Sequence, residues 1–169
     1  FWIFAACTLL TVIPLSFYNA YTNNFLVEAN AQISTGNVNF EPAAIQTLGQ
    51  GSEFVFMLLL PLLLVRVGIK GVLLIGMLAW ALRYALFALG FDGNAARIEM
   101  LVAGVLLHGI CYDFFFVASQ LYVERRFEPA MRSRAQAFLV MINMGVGVIL
   151  GSNVANAVYG AYTLSPSTH

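Results

Sequence analysis

The chain has 169 residues, 60% of them hydrophobic and 9% charged, with a mean hydropathy of +0.82. A water-soluble domain carries about 25% charged residues, so there is too little charge here to clothe a soluble globule, and the apolar surface must face lipid. Eight Lys and Arg balance eight Asp and Glu, which leaves neither a basic face for nucleic acid nor a solvating acidic tail.

The chain opens on Phe1-Trp-Ile-Phe-Ala-Ala-Cys7 with no charged stretch before it. That is unlike a signal peptide, and the expectation is a piece of a longer polypeptide. Cys7 and Cys111 both lie in apolar runs, far apart in sequence. They fit neither a disulfide framework nor a zinc spacing and are read as structural. No metal site or cofactor is expected.

A bilayer core takes about 20 largely apolar residues per helix, and five segments qualify. In chain order they run from Phe1 to Val27, Ala44 to Val65, Gly71 to Gly90, Ile98 to Val123 and Ala135 to Tyr159. Between them, Glu28 to Pro42 reads as an aqueous loop and Phe91 to Asn94 as a turn. Arg66 to Lys70 reads as a tight basic turn, and Glu124 to Arg134 as a charged loop containing Pro129. The fold class is therefore an all-α membrane protein. Lys and Arg favour the cytoplasmic side. Arg66 and Lys70 sit in one connection and Arg125, Arg126, Arg132 and Arg134 in another, while the two opposite connections carry only Arg97. That places the start of the first span inside the cell and makes Thr163 to His169 external.

An ionisable residue deep in a bilayer costs a few kcal/mol, about 3 on insertion scales, so each one asks for a reason. Glu53 lies mid-span in the second helix, Asp113 mid-span in the fourth, and Arg83 well inside the third. Gln46, Gln50 and Glu53 share a face of the second helix. Ser16, Asn19 and Asn23 do the same in the first, after Pro14, which is expected to kink it. His108, Tyr112 and Phe116 line the fourth at i, i+4 and i+8, with Asp113 about 100° around. The fifth carries Gln136 and Asn143. Four polar stripes can line a wet cavity, braced by a third helix whose main polar residue is Arg83.

Plainer readings stand beside this one. Asn23, Gln46, Gln136 and Asn143 read equally well as interhelical glue. His108 taken alone reads as a packing histidine, and Arg83 as the structural partner of an acid, able to neutralise Asp113. The run Phe114-Phe-Phe116 fits lipid-facing packing as well as a stacking surface. Gly147 and Gly151 have small-xxx-small spacing, which permits close helix approach.

Leu64-Val-Arg-Val-Gly-Ile-Lys-Gly71 resembles the short cytoplasmic Arg-x-Gly-x-Lys turn of major facilitator transporters, with Val65 where an Asp usually precedes the Arg. Further stretches resemble the nucleoside:proton symporter family, the bacterial nucleoside and xanthosine permeases. They are Gly76-Met-Leu-Ala-Trp-Ala-Leu-Arg83, His108-Gly-Ile-Cys-Tyr-Asp-Phe-Phe115, Tyr122-Val-Glu124, and Arg132-Ser-Arg-Ala-Gln-Ala137 leading into Asn143-Met-Gly-Val-Gly147. The resemblance covers nearly the whole chain. It implies a partial major facilitator bundle, 1–169 being helices 7–11 of twelve, with the N-terminal half and last helix lying outside it.

That resemblance implies a central cavity opening alternately to each side. Asn19, Gln50, Glu53 and Tyr112 match nucleoside-contacting positions of the family, with Asp113 beside them. Ser16 stands where a longer amide is expected, and His108 where a Tyr is. The implied function is uptake of nucleosides coupled to protons across the inner (cytoplasmic) membrane. The partners are the lipid bilayer, the nucleoside, protons and the N-terminal half of the same transporter. Glu53, Gln50 and Asn19 would hold ribose hydroxyls, Tyr112 or Phe116 the base, and Glu53 and Asp113 the coupling proton. No nucleophile–base pair or phosphate loop is present, so the chain reads as a non-enzyme. A sugar or oligosaccharide:proton symporter is the alternative within transport. A membrane sensor or structural subunit is the alternative outside it.

Overall fold

The computed structural model describes residues 1–33, 40–91 and 96–163. Five helices among them are long and apolar enough to cross a membrane. They are α1 (Trp2–Ile33), α2 (Pro42–Arg66), α3 (Gly68–Gly90), α4 (Ile98–Arg126) and α5 (Pro129–Tyr162).

The helices reach further than the apolar runs do. α1 continues through Glu28-Ala-Asn-Ala-Gln-Ile33, where the sequence suggested a loop. Glu, Ala and Gln are good helix formers, Ala29 is fully buried, and the Asn30 side chain accepts the Phe40 N–H at 3.1 Å. α1 also runs unbroken through Pro14. Pro42 and Pro129 each sit at the first turn of a helix, where the missing N–H is no loss and φ is already suitable. The expected charged loop before α5 therefore shrinks to Phe127 and Glu128. The basic turn from Arg66 to Lys70 is likewise mostly helical. Only Val67 interrupts it, and Gly68, at φ 70°, makes the reversal that a side chain would resist. Between α3 and α4, the Arg97 N–H donates to Gly90 O at 2.8 Å. Most of the expected turn there lies outside the described residues, as do the middle of the loop after α1 and the chain after Thr163.

The chain divides into two compact units. The first comprises Phe1–Thr22 with the chain from Phe127 onward. In it Gly147 lies against Val12 and Gly151 against Ser16, so the small-residue spacing on α5 serves contact with α1. Tyr21 donates to the Asn156 side chain at 2.6 Å and stacks on Tyr159 at 4.7 Å.

The second unit, Asn23–Arg126, holds the rest of α1 with α2, α3 and α4. Leu60, Val72, Phe114 and Ala118 are its apolar core. α2 and α4 cross at Gly109, whose N–H donates to Ser52 Oγ at 3.1 Å. A Cβ on Gly109 would fall 2.6 Å from the Ser52 carbonyl carbon, so only glycine lets the two backbones approach this closely. α4 carries a π-helical turn over Asp113–Val117. One extra residue in a turn rotates all that follows by about 100° relative to a straight α-helix.

Candidate functional site

The second unit draws Glu53, Arg83 and His108 from three helices into one hydrogen-bonded chain. His108 Nε2 lies 2.8 Å from Glu53 Oε1, and Arg83 Nη1 lies 3.0 Å from His108 Nδ1. A guanidinium can only donate, so Nδ1 must present its lone pair to Arg83. The ring proton then sits on Nε2 and is donated to Glu53. His108 is thus a neutral bridge between a permanent cation and a carboxylate, and such chains polarise one another in a low dielectric.

Each member is held by its helix. Arg83 is fully buried, and its guanidinium carbon lies 5.5 Å from the Trp80 ring and 5.7 Å from Phe87, a cation–π setting. His108 is one residue before Gly109, so the close crossing that Gly109 permits also brings the imidazole to α2. Glu53 follows Ser52 in the same crossing. Its side chain keeps 27% of its exposure against 11% for His108, so Glu53 is the end of the chain that meets the surroundings.

The expected pairing of Arg83 with Asp113 takes a different form. The acid that Arg83 serves is Glu53, reached through His108. Asp113 is fully buried, and neither of its carboxyl oxygens has a hydrogen-bond partner among the described residues. It opens the π-helical turn, an irregularity frequent at functional sites.

Along α4, the His108 and Tyr112 rings lie 5.9 Å apart and Tyr112 and Phe116 5.2 Å apart. This is the aromatic column the i, i+4, i+8 spacing suggested. Phe114, Phe115 and Phe116 are all buried, which removes the lipid-facing reading of that run. Phe116 packs edge-on to Phe115, so Tyr112 is the more accessible ring of the column. Gln50 is exposed one turn from Glu53. Gln46 donates to Asn23 at 2.9 Å, the glue role allowed for both. Asn19 is exposed and Asn143 buried in the first unit, where Asn143 Oδ1 has no partner among the described residues. Ser16 turns back on its own helix, donating to Val12 O at 2.9 Å.

Glu53 and His108 do not line an apolar groove of about 600 Å³ in the second unit. That groove is walled mainly by Leu48, Val55, Phe56, Leu106 and Leu107, and the hydroxyls of Thr47 and Ser52 on its wall already donate to the backbone of their own helix. The chemistry belongs to the polar face instead. Sequence reasoning found all three members of the chain but not their connection. The signal available was that Arg83 is nearly alone on α3 while polar stripes on α2 and α4 begin at comparable depth.

The family description "Nucleoside H+ symporter" matches residues 1–169. Among curated proteins, the putative nucleoside transporter YegT of Escherichia coli K12 is 38% identical over 151 residues, 89% of this chain and 34% of that protein. The nucleoside permease NupG of the same organism is 34% identical over 163 residues, 95% of this chain and 39% of that one. Its xanthosine permease is 33% identical over 141 residues, 82% and 33% respectively. A crystal structure of the nucleoside transporter NupG aligns with a TM-score of 0.77 at 33% identity, over 90% of this chain and 38% of that chain. A crystal structure of a NupG mutant gives 0.79 at 32%. The chain thus spans between a third and two fifths of the length of these relatives.

Proposed function

The chain belongs to the nucleoside H+ symporter family, and on that premise we propose that it is part of a carrier moving nucleosides with protons across the cytoplasmic membrane by alternating access. The observation that carries the reading is Glu53: a partly exposed carboxylate deep in an apolar helix, oriented by His108 and backed by Arg83. An ionisable group held at that depth marks a substrate or ion pathway. Its free valence suits a vicinal diol, with Gln50 one turn away and Tyr112 offering a ring face for a base. Asp113, sequestered and without a hydrogen-bond partner among the described residues, suits a bare proton better than a sugar. Glu53 and Asp113 are the two proton-coupling candidates, with Asp113 serving coupling alone.

The substrate class is tested by uptake of labelled uridine into cells making the full-length protein, with adenosine and disaccharides as competitors. Nucleosides are expected to inhibit by about tenfold at concentrations where disaccharides do nothing, since a site built to bond particular groups rejects analogues that leave them unpaired. The reverse ranking supports the sugar symporter.

The charge asymmetry supports a cytoplasmic start for α1. In a version lacking Cys7 and Cys111, cysteines placed at Asn37 and Asn94 should react with an impermeant reagent on intact cells. One at Ser133 should react only after permeabilisation. The opposite pattern overturns the orientation.

A further inference from the structure

We propose that His108 is a proton-operated latch on the binding carboxylate: neutral, it ties Glu53 to Arg83, and a proton taken up at Nδ1 cuts the tie to Arg83 while leaving Glu53 on Nε2. The latch rests on the symport reading above and supplies its missing part, a group that converts proton arrival into release of the site.

Arg83 stays charged and donates only, so the 3.0 Å contact to Nδ1 exists only while that nitrogen is bare. Protonation forms one N–H bond at Nδ1 and fills the lone pair that Arg83 was using. Two positive groups then face each other at contact distance and repel. The other ring nitrogen is unaffected, and its bond to Glu53 Oε1 becomes an ion pair. Arg83 loses that partner but keeps the Trp80 and Phe87 ring faces. Among the described residues, the charged and titratable groups shown against the ring are Glu53 from α2, Arg83 from α3 and Tyr112 from α4 itself, with Cys111 and Asp113 beside Tyr112 along α4. Arg83 and burial oppose an imidazolium, and Glu53, 2.8 Å from Nε2, is the group in contact that favours it. Nε2 already carries a proton and has no lone pair to offer, so the incoming proton must reach Nδ1 itself, on the side that faces Arg83.

Once cut from its buried anchor, the Glu53–His108 pair is free to close on substrate, so nucleoside binding tightens as His108 gains its proton. A Tyr at this position, which the family resemblance leads one to expect, can also accept from an Arg and donate to a Glu. It cannot take the extra proton. The latch is therefore specific to the His in this chain.

The experiment measures equilibrium uridine binding by the full-length protein across about pH 4–8.5, a window that extends below the range of an exposed histidine. Parent and His108→Gln are compared. Gln can accept from Arg83 and donate to Glu53, preserving the tie without the proton. The parent-to-variant ratio at the alkaline end sets the reference. The parent's advantage should then grow toward acid by up to about tenfold per pH unit, the limit for one linked proton. Titration of groups that do not touch His108 is common to both and cancels in the ratio, whereas Glu53 titrates together with the ring and belongs to the latch. A ratio that stays flat with pH overturns the latch. His108→Tyr is the second variant, with the same expectation. If neither variant folds, ¹⁵N spectra of the histidine-labelled parent decide. A bare Nδ1 that gains a proton on acidification supports the latch, and an Nδ1–H tautomer at alkaline pH overturns it. Failure of the parent to bind uridine overturns the carrier reading instead, and the same spectra, which need no nucleoside, still decide the latch.

Discussion

Glu53→Gln in the full-length protein is expected to abolish proton-driven nucleoside accumulation, bringing the inside-to-outside ratio from well above unity to about one. Gln keeps the shape and can still accept from His108 Nε2, so the fold is undisturbed. What disappears is the charge that completes the Arg83–His108–Glu53 chain and the group able to exchange a proton. A hydrogen bond to a charged group contributes about 1.5–3 kcal/mol, so nucleoside binding should weaken by about ten- to a hundredfold. Asp113→Asn provides the contrast. The Asp113 carboxyl makes no hydrogen bond among the described residues, so its loss should reduce accumulation while leaving binding within about threefold. Binding in detergent and uptake into vesicles under an imposed proton gradient check both expectations. Normal accumulation by Glu53→Gln makes that carboxylate structural.

Arg83→Met is expected to have the largest effect on stability. The side chain is fully buried, and Met roughly preserves its volume while removing its charge. Glu53 is then left ionised in low dielectric with its backing cation gone, and His108 Nδ1 loses its donor. Breaking a buried charge pair from one side typically costs 3–5 kcal/mol. Here the partial exposure of Glu53 lowers the figure to about 2–3 kcal/mol. Adding Glu53→Gln to Arg83→Met removes the orphaned charge, so the double variant should be more stable than Arg83→Met alone. Thermal unfolding in detergent around that double-mutant cycle measures the coupling. Strict additivity of the two losses means Arg83 and Glu53 do not communicate through His108.

Much of this architecture is legible in the residues, and the places where it is not share a cause. Apolar length alone locates the five spans because lipid imposes it. Their ends are harder. The extension of α1 over Glu28–Ile33 and the start of α5 at Pro129 are polar or charged segments, invisible to hydropathy yet good helix sequence. At the site, depth and polarity single out Glu53, Arg83, His108 and Asp113, but not which of them meet. Partnership depends on how each helix is rotated about its own axis. Here that is set by a backbone contact, Gly109 on Ser52, which carries no charge pattern to read. The π-helical turn at Asp113–Val117 adds a register shift that a 3.6-residue period cannot anticipate. A period-based reading accordingly leaves Arg83 free to pair with Asp113, whereas the actual rotation gives it His108.

If nucleoside and proton move together, the proton itself can be followed. Vesicles containing the full-length protein are suspended in weakly buffered medium with no imposed gradient, and nucleoside is added outside. External pH should rise as nucleoside enters, the rise should saturate with nucleoside concentration, and Glu53→Gln should abolish it. Nucleoside entry at an undiminished rate with no accompanying change in external pH would contradict symport.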